Sequence, residues 1–321
     1  MHPSESRIST SARLPPPTGP GDRIGVAALS GPVDAERLER GLAELRRLGF
    51  EPVLAANLAS RTGLFAGGDA ERLAAFHRLA AYPDLPAIVF ARGGHGVLRL
   101  LPAIDWDLLG RRPRAYVGYS DLTPLLLEIV RRLGLVAFHG PMVAADAARG
   151  LAPAEEESLL GALAGRYPSA LPFASWLRRG DAAGPLLGGC LSMLAATLGT
   201  PFFPELGGAL LFWEEIGEAP YRIDRMLTHL RLSGNLAAIQ GMIVGHLRTA
   251  AVDPAAPLDL AAERAEPASD TWGPALVAES LSAFEWPLAW GLASGHLRPN
   301  LTLPLGLQSR LQAGSTRLEL G

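Results

Sequence analysis

The sequence predicts a two-domain α/β protein, an N-terminal open, doubly wound, mostly parallel sheet followed by a smaller mixed β/α domain. Two observations predict it. From Arg23 to about Gly165, short apolar runs alternate with amphipathic helical segments, the signature of βαβ units around a parallel sheet. From Gly188 to about Leu305 the pattern changes to strands punctuated by glycine and proline, as in a turn-rich mixed domain. The boundaries that follow are a disordered N-terminal segment over 1–22, an α/β domain over 23–165, a linker over 166–187 and a C-terminal domain over 188–321.

The first strand is predicted over Arg23 to Ala28, and later ones over 50–54, 87–90, 115–118 and 135–138. Between the first two, Leu38, Leu42, Leu45 and Leu48 recur at helical spacing, with Asp34 as N-cap and Gly49 as the left-handed terminator. Further helices are expected over 69–81, 122–132 and 154–164, each opening near an Asp, Thr or Pro suited to a first turn. The stretch from Arg166 to Gly184 shows no sustained period and reads as a connection. In the second half, strands are expected over 209–213 and 241–244, a helix over 221–232 and a surface loop over 250–267.

A formal net charge of -3 gives no bulk attraction to phosphate backbones or anionic lipid, so neither nucleic acid nor a membrane surface is an expected partner. The single cysteine, Cys190, excludes an internal disulfide and a multi-cysteine zinc site. The first 22 residues lack the apolar core of a secretory signal, and no apolar run approaches the roughly 18 residues of a membrane span. A soluble, cytoplasmic protein is expected.

In an open α/β sheet, ligands bind at the carboxyl ends of the strands. Two strands end on polar turns, one on Ala91-Arg92-Gly93-Gly94-His95-Gly96 and one on Gly118-Tyr119-Ser120-Asp121. A serine on a tight strand-to-helix turn is presented outward, with helix amides behind it to stabilise an oxyanion. The alternative is that Ser120 merely helps to cap the next helix. The glycine cluster lacks the Gly-Lys-Ser/Thr of a phosphate loop, and an amide from Gly94 beside Ser120 would supply a second oxyanion donor. Three histidines could serve as base: His95 and His139, each after a strand, and His296, in the Gly/Pro-bracketed turn Ser294 to Asn300. Glu214 leaves an apolar strand as a candidate acid, against the usual fate of a Glu-Glu pair as solvated surface.

These blocks, with Gly31-Pro32-Val33, His139-Gly140-Pro141, Gly188-Gly189-Cys190-Leu191-Ser192, Glu214-Glu215-Ile216-Gly217-Glu218, Tyr221-Arg222-Ile223-Asp224-Arg225 and Gly295-His296, give the chain its resemblance. In order and separation they resemble the LD-carboxypeptidases and their relatives that confer immunity to microcin C. The resemblance implies a triad of Ser120, Glu214 and His296, with oxyanion donors on the backbone of Gly94 and Asp121. It implies no metal or organic cofactor, commonly a homodimer, and a small peptide substrate, a murein tetrapeptide cut before its terminal D-alanine. Arg92 is a candidate anchor for the substrate carboxylate. Two positions depart from the family pattern: His95 stands where a tyrosine is usual, and Cys190 replaces an asparagine. An immunity-type amidase acting on aminoacyl nucleotides and a non-catalytic two-domain binder are the competing readings.

Overall fold

The structure, a computed structural model, describes residues 12–249 and 272–321. The elements of the first half are β1 (Arg23–Ala27), α1 (Ala35–Arg47), β2 (Glu51–Leu54), α2 (Asp69–Ala81), β3 (Ala87–Phe90) and α3 (Val97–Leu100). They continue with α4 (Trp106–Arg111), β4 (Ala115–Gly118), α5 (Thr123–Leu133), β5 (Ala137–His139) and α6 (Pro153–Leu163). The second half contains β6 (Ala170–Pro172), β7 (Ser175–Arg178), β8 (Ala182–Cys190), α7 (Leu191–Thr197), β9 (Leu210–Glu218), α8 (Pro220–Leu232) and β10 (Gly241–Thr249). It closes with α9 (Trp272–Ser280), β11 (Leu288–Trp290), β12 (Leu303–Leu305), β13 (Gln308–Leu311) and β14 (Arg317–Leu320).

The first sheet has the order β12-β5-β4-β3-β1-β2, with β1 to β5 parallel and β12 antiparallel at one edge. Strands β1, β3 and β4 are apolar and buried almost throughout, as expected of parallel strands covered on both faces. Helix α1 begins where the sequence places it, with the Asp34 side chain accepting a hydrogen bond from the Arg37 amide at 2.8 Å. Its buried stripe is Leu38, Leu42 and Leu45.

The second sheet has the order β6-β14-β13-β8-β9-β10-β11-β7, with β8 to β11 parallel at its centre. Here the expected linker over 166–187 is corrected, because this stretch supplies β6, β7 and most of β8. Its outer strands β6 and β7 are edge strands of three and four residues, too short for a period to be read. They are held by side chains instead: the Trp176 ring nitrogen donates to the Ser315 carbonyl at 2.8 Å, and Arg178 donates to the Leu281 and Trp286 carbonyls.

The expected disordered segment over 1–22 is also corrected for its described part. Residues 12–22 pack on the first domain, where Arg13 bridges Leu135 in parallel and the buried Thr18 donates its amide to Leu163 at 2.7 Å. Residues 1–11 and the loop expected over 250–267 lie outside the described residues. Among the described residues, no helix is long and apolar enough to cross a membrane.

One continuous hydrophobic core runs through both halves, from Ile24 and Phe90 to Leu210 and Val244. The halves meet where the end of β8 presses on the first turn of α5. The Cys190 amide donates to the Thr123 hydroxyl at 3.0 Å, and a Cβ on Gly189 would lie 2.5 Å from that oxygen. Gly189 also has a φ of 147°, open to glycine and strained for other residues. Gly189→Ala should therefore destabilise the protein by about 1–3 kcal/mol through overpacking alone. Denaturant unfolding checks this, and a variant as stable as the parent would show that the two halves are not held this closely.

Candidate active site

The site begins with a backbone constraint. Strand β4 stops at Gly118, Tyr119 is extended, and Ser120 turns with a φ of 62° before a single 3₁₀ turn leads into α5. Among the described residues it is the one non-glycine at positive φ, a conformation that costs on the order of 1–3 kcal/mol and persists only where the surroundings impose it. The turn after β3 lies directly against it. A Cβ on Gly93 would stand 2.9 Å from the Ser120 Cβ and 3.0 Å from its Oγ. Gly94 next to it has a φ of 119°. No backbone acceptor takes the N–H of Gly94 or of Asp121 among the described residues, and amides at the start of a helix lack intrahelical partners in general.

Glu214 lies in β9, opposite Cys190 of β8, with its side chain fully buried. Its Oε2 accepts hydrogen bonds from the His296 ring Nδ1 at 2.7 Å and from the His296 amide at 3.2 Å. A Cβ on Gly295 would come within 2.5 Å of that oxygen, so the turn before His296 reaches the carboxylate only as glycine. The turn itself is fixed by the buried Asn300, whose Oδ1 accepts from the Gly295 amide at 2.9 Å. The Asn300 amide in turn donates to Glu155 of α6 at 2.8 Å.

Burial alone would disfavour charge on either partner, but each offsets it for the other. The Glu214 carboxyl is held below its ordinary range by the charge and hydrogen bonds of His296. The His296 imidazole is raised above the usual histidine value by Glu214. Because its folded value lies above the unfolded one, His296 contributes stability that is complete below about pH 6.5 and is lost as pH rises through the folded value. Glu214 has the opposite sign, and its contribution is lost as pH falls.

The two halves of the site meet through Tyr119. Its buried ring sits edge-on to the His296 ring at 4.9 Å, which brings the imidazole of the second domain beside the Ser120 turn of the first. The Tyr119 hydroxyl donates to the buried Asp146 at 3.4 Å, and Asp146 also pairs with Arg149 and accepts from the Met142 amide.

Of the other candidate bases, His139 is fully buried between Tyr119 and Phe212, with both ring nitrogens lacking partners among the described residues. Burial pushes it down to about 4, so it is neutral at ordinary pH. His95 is exposed on its glycine turn and no carboxylate is hydrogen-bonded to it among the described residues. Only His296 is hydrogen-bonded to a buried acid. The chain contains no lysine, which excludes a serine–lysine dyad.

Cys190 is buried, with its sulfur 3.2 Å from the Ser192 hydroxyl and 3.5 Å from Glu215. Burial, and after it Glu215, push its thiol well above the usual range, so it is an unreactive part of the domain junction. Arg92 lies over Gly31 and donates to the carbonyls of Gly93 and Pro32 at 3.2 and 3.0 Å. It makes no ion pair among the described residues, and burial and the neighbouring Arg37 disfavour its charge. No group of three or more His, Cys, Asp or Glu side chains is arranged to hold a metal among the described residues.

Sequence reasoning passes over Tyr119, Asp146, Asn300 and Glu155. One signal was available, since Asp146 is a lone acid in the apolar run Val143 to Ala148, where a carboxylate is kept only if backbone or an ion pair satisfies it.

Fold and site together define a two-domain hydrolase of the serine carboxypeptidase type. The LD-carboxypeptidase N-terminal domain matches residues 24–140, and the LD-carboxypeptidase C-terminal domain matches residues 183–311. A putative carboxypeptidase of Streptomyces coelicolor is 37% identical over 94% of both chains. A probable murein peptide carboxypeptidase of Bacillus subtilis is 34% identical over 91% of this chain and 89% of its own. The microcin C7 self-immunity protein of Escherichia coli is 27% identical over 94% of this chain and 93% of its own. A wild-type structure of the microcin C7 self-immunity protein superposes with a TM-score of 0.83 over 96% of this chain and 98% of that one, at 23% identity. The chain belongs to the LD-carboxypeptidase family.

The electrostatics of the pair can be read directly by following the His296 imidazole in an NMR titration. It should titrate above about 6.5 in the parent. In Glu214→Gln it should fall below that value, because the burial remains when the opposing charge is gone. An unchanged midpoint would show that Glu214 does not set the charge of His296.

Proposed function

We propose that the protein hydrolyses the amide bond between the L-centre of a diamino acid and a terminal D-alanine, as in murein tetrapeptides. The single observation that carries the reading is the Glu214–His296 pair at 2.7 Å, set against the ring of Tyr119, the residue before Ser120. In this reading the His296 Nε2 takes the Ser120 proton as Oγ bonds to the scissile carbonyl carbon. The carbonyl π electrons move to oxygen, and the amides of Gly94 and Asp121 hold the resulting oxyanion. Glu214 keeps the Nδ1 proton in place and stabilises the imidazolium. His296 then returns the proton to the leaving amine of D-alanine, the acyl–Ser120 ester remains, and water hydrolyses it by the same route.

Arg92 anchors the D-alanine carboxylate in this reading. It is a guanidinium without an ion pair among the described residues, its Nη1 and Nε fixed by two carbonyls beside the nucleophile turn. The family resemblance carries with it a cytoplasmic, homodimeric enzyme. The Bacillus subtilis relative, by its name, acts on murein peptides, which supports the same substrate class.

The second reading keeps the triad and changes the leaving group to an aminoacyl nucleotide, and is favoured by the similarity to the microcin C7 self-immunity protein. A non-catalytic binder would have no need of a strained serine beside a buried Glu–His pair.

Ser120→Ala should lower turnover by about 10⁴-fold or more while leaving the fold intact. Incubation of the parent with an L-Lys or meso-diaminopimelate tetrapeptide should release free D-alanine. Amidation of the terminal carboxylate should weaken the reaction by roughly 1–3 kcal/mol per unpaired partner. If only an aminoacyl nucleotide is cleaved, at a rate dependent on Ser120, the murein assignment fails and the second reading replaces it. Wild-type turnover in Ser120→Ala removes the serine mechanism altogether.

A further inference from the structure

The proposed mechanism uses the backbone of Asp121 and leaves its side chain without a role. The residue is 3% exposed, and among the described residues no arginine is hydrogen-bonded to its carboxylate. Burial holds its carboxyl above the ordinary carboxylate range, and the bonds it accepts oppose that rise. Those bonds come from two other loops. The hydroxyl of Ser30, a fully buried residue in the loop after β1, donates to Oδ2 at 2.7 Å. The amide of Val97, the first residue of α3 after the glycine turn, donates to the same oxygen at 3.0 Å. The Gly96 amide donates to this carboxylate as well.

The strands that carry these three loops are neighbours in the sheet, in the order β4-β3-β1. One carboxylate therefore ties the turns after β1 and β3 to the turn that carries Ser120. A second bond closes the same assembly, since the Gly31 amide donates to the Gly93 carbonyl at 3.1 Å. Each bond to an ionised carboxylate is stronger and more directional than one between neutral groups. The turn between Gly93 and Gly96, whose glycines give it no side-chain packing of its own, is held from its far end.

We infer that the Asp121 carboxylate is a positioning residue that sets the Gly93–Gly96 turn, and with it the Gly94 amide, against Ser120. This rests on the serine mechanism proposed above. An ordinary structural acid in the same place would contribute stability and leave the chemical step alone. A positioning acid acts on the chemical step, because an oxyanion donor displaced by a fraction of an ångström stabilises the transition state less while the substrate still binds.

The test is Asp121→Asn, which keeps the shape and removes the charge, so that the donors on Oδ2 face either a neutral amide oxygen or the new NH₂ group. With the tetrapeptide as substrate, kcat should fall about 10-fold to 100-fold while KM stays within about threefold, short of the 10²–10³ seen when an oxyanion donor is deleted. The rate of Ser120 phosphonylation by a fluorophosphonate, which needs no knowledge of the natural substrate, should fall in parallel. Ser30→Ala, which removes one of the three donors, should lower kcat by a smaller factor, and the double variant should fall by less than the product of the two. A kcat within threefold of the parent, or a rise in KM at constant kcat, would overturn the inference. Should Asp121→Asn not fold, Ser30→Ala decides by the same criteria. Ser120→Ala run alongside separates the two levels. If it keeps turnover, the serine mechanism itself has failed; if it is inactive while Asp121→Asn is normal, only the role of the carboxylate has failed.

Discussion

Burying an ionised carboxylate away from water costs several kcal/mol when nothing compensates it, and the C-terminal part of the site is arranged around that constraint. Glu214 is compensated by one residue, His296, through both its ring and its amide. For the chain to come so close, the preceding position must lack a Cβ, and it is Gly295. For the turn to stay there, Asn300 holds the Gly295 amide, and Glu155 of the first domain holds the Asn300 amide and the Arg298 side chain. Glu214 is thus fixed in the second sheet, and the turn that carries His296 is tied back to a helix of the first domain.

The same economy appears where the two halves meet beside the site. Tyr119 touches His296, Phe212 touches His139, and the Cys190 amide bonds Thr123, all within a few residues of Ser120, Glu214 or the base. The junction is continuous with the hydrophobic core and contains the site within it. The hydrolytic centre proposed above would need a fixed distance between its parts, and the packing that stabilises the fold also sets the distance between those residues. Cys190 falls on this junction, where its backbone does the bonding and its sulfur faces Ser192 and Glu215.

What could be read from the sequence was what is local. The leucine stripe and Asp34 cap of α1 are visible within one helix, and β1 after Arg23, β3 and β4 stand out as short, mostly apolar runs. The Ser120 turn was legible because a strand pattern stops and a helix pattern begins there. The burial of Glu214 was legible only in part: the apolar run before it pointed to some enclosure, but a Glu-Glu pair usually faces solvent, yet both carboxylates are buried. The bond from Ser30 to Asp121 was not legible, since it joins residues 91 positions apart. Strands β6 and β7 escaped because edge strands of three or four residues have too few positions to show alternation. Residues 12–22, rich in proline and glycine, look like a free lead-in until their pairing partner Leu135 is known.

The left-handed backbone of Ser120 has a consequence for how such a protein changes over generations. At this position stability and chemistry ask for different residues, since glycine would adopt the same turn without strain and serine alone brings the hydroxyl. On the proposed mechanism, selection for the reaction is what keeps a hydroxyl where the backbone favours none. A descendant released from that selection could gain stability by a single exchange at residue 120 and keep every other contact of the fold. Glycine in that turn, with the rest of the site intact, is the mark by which a retired member of the family would be recognised.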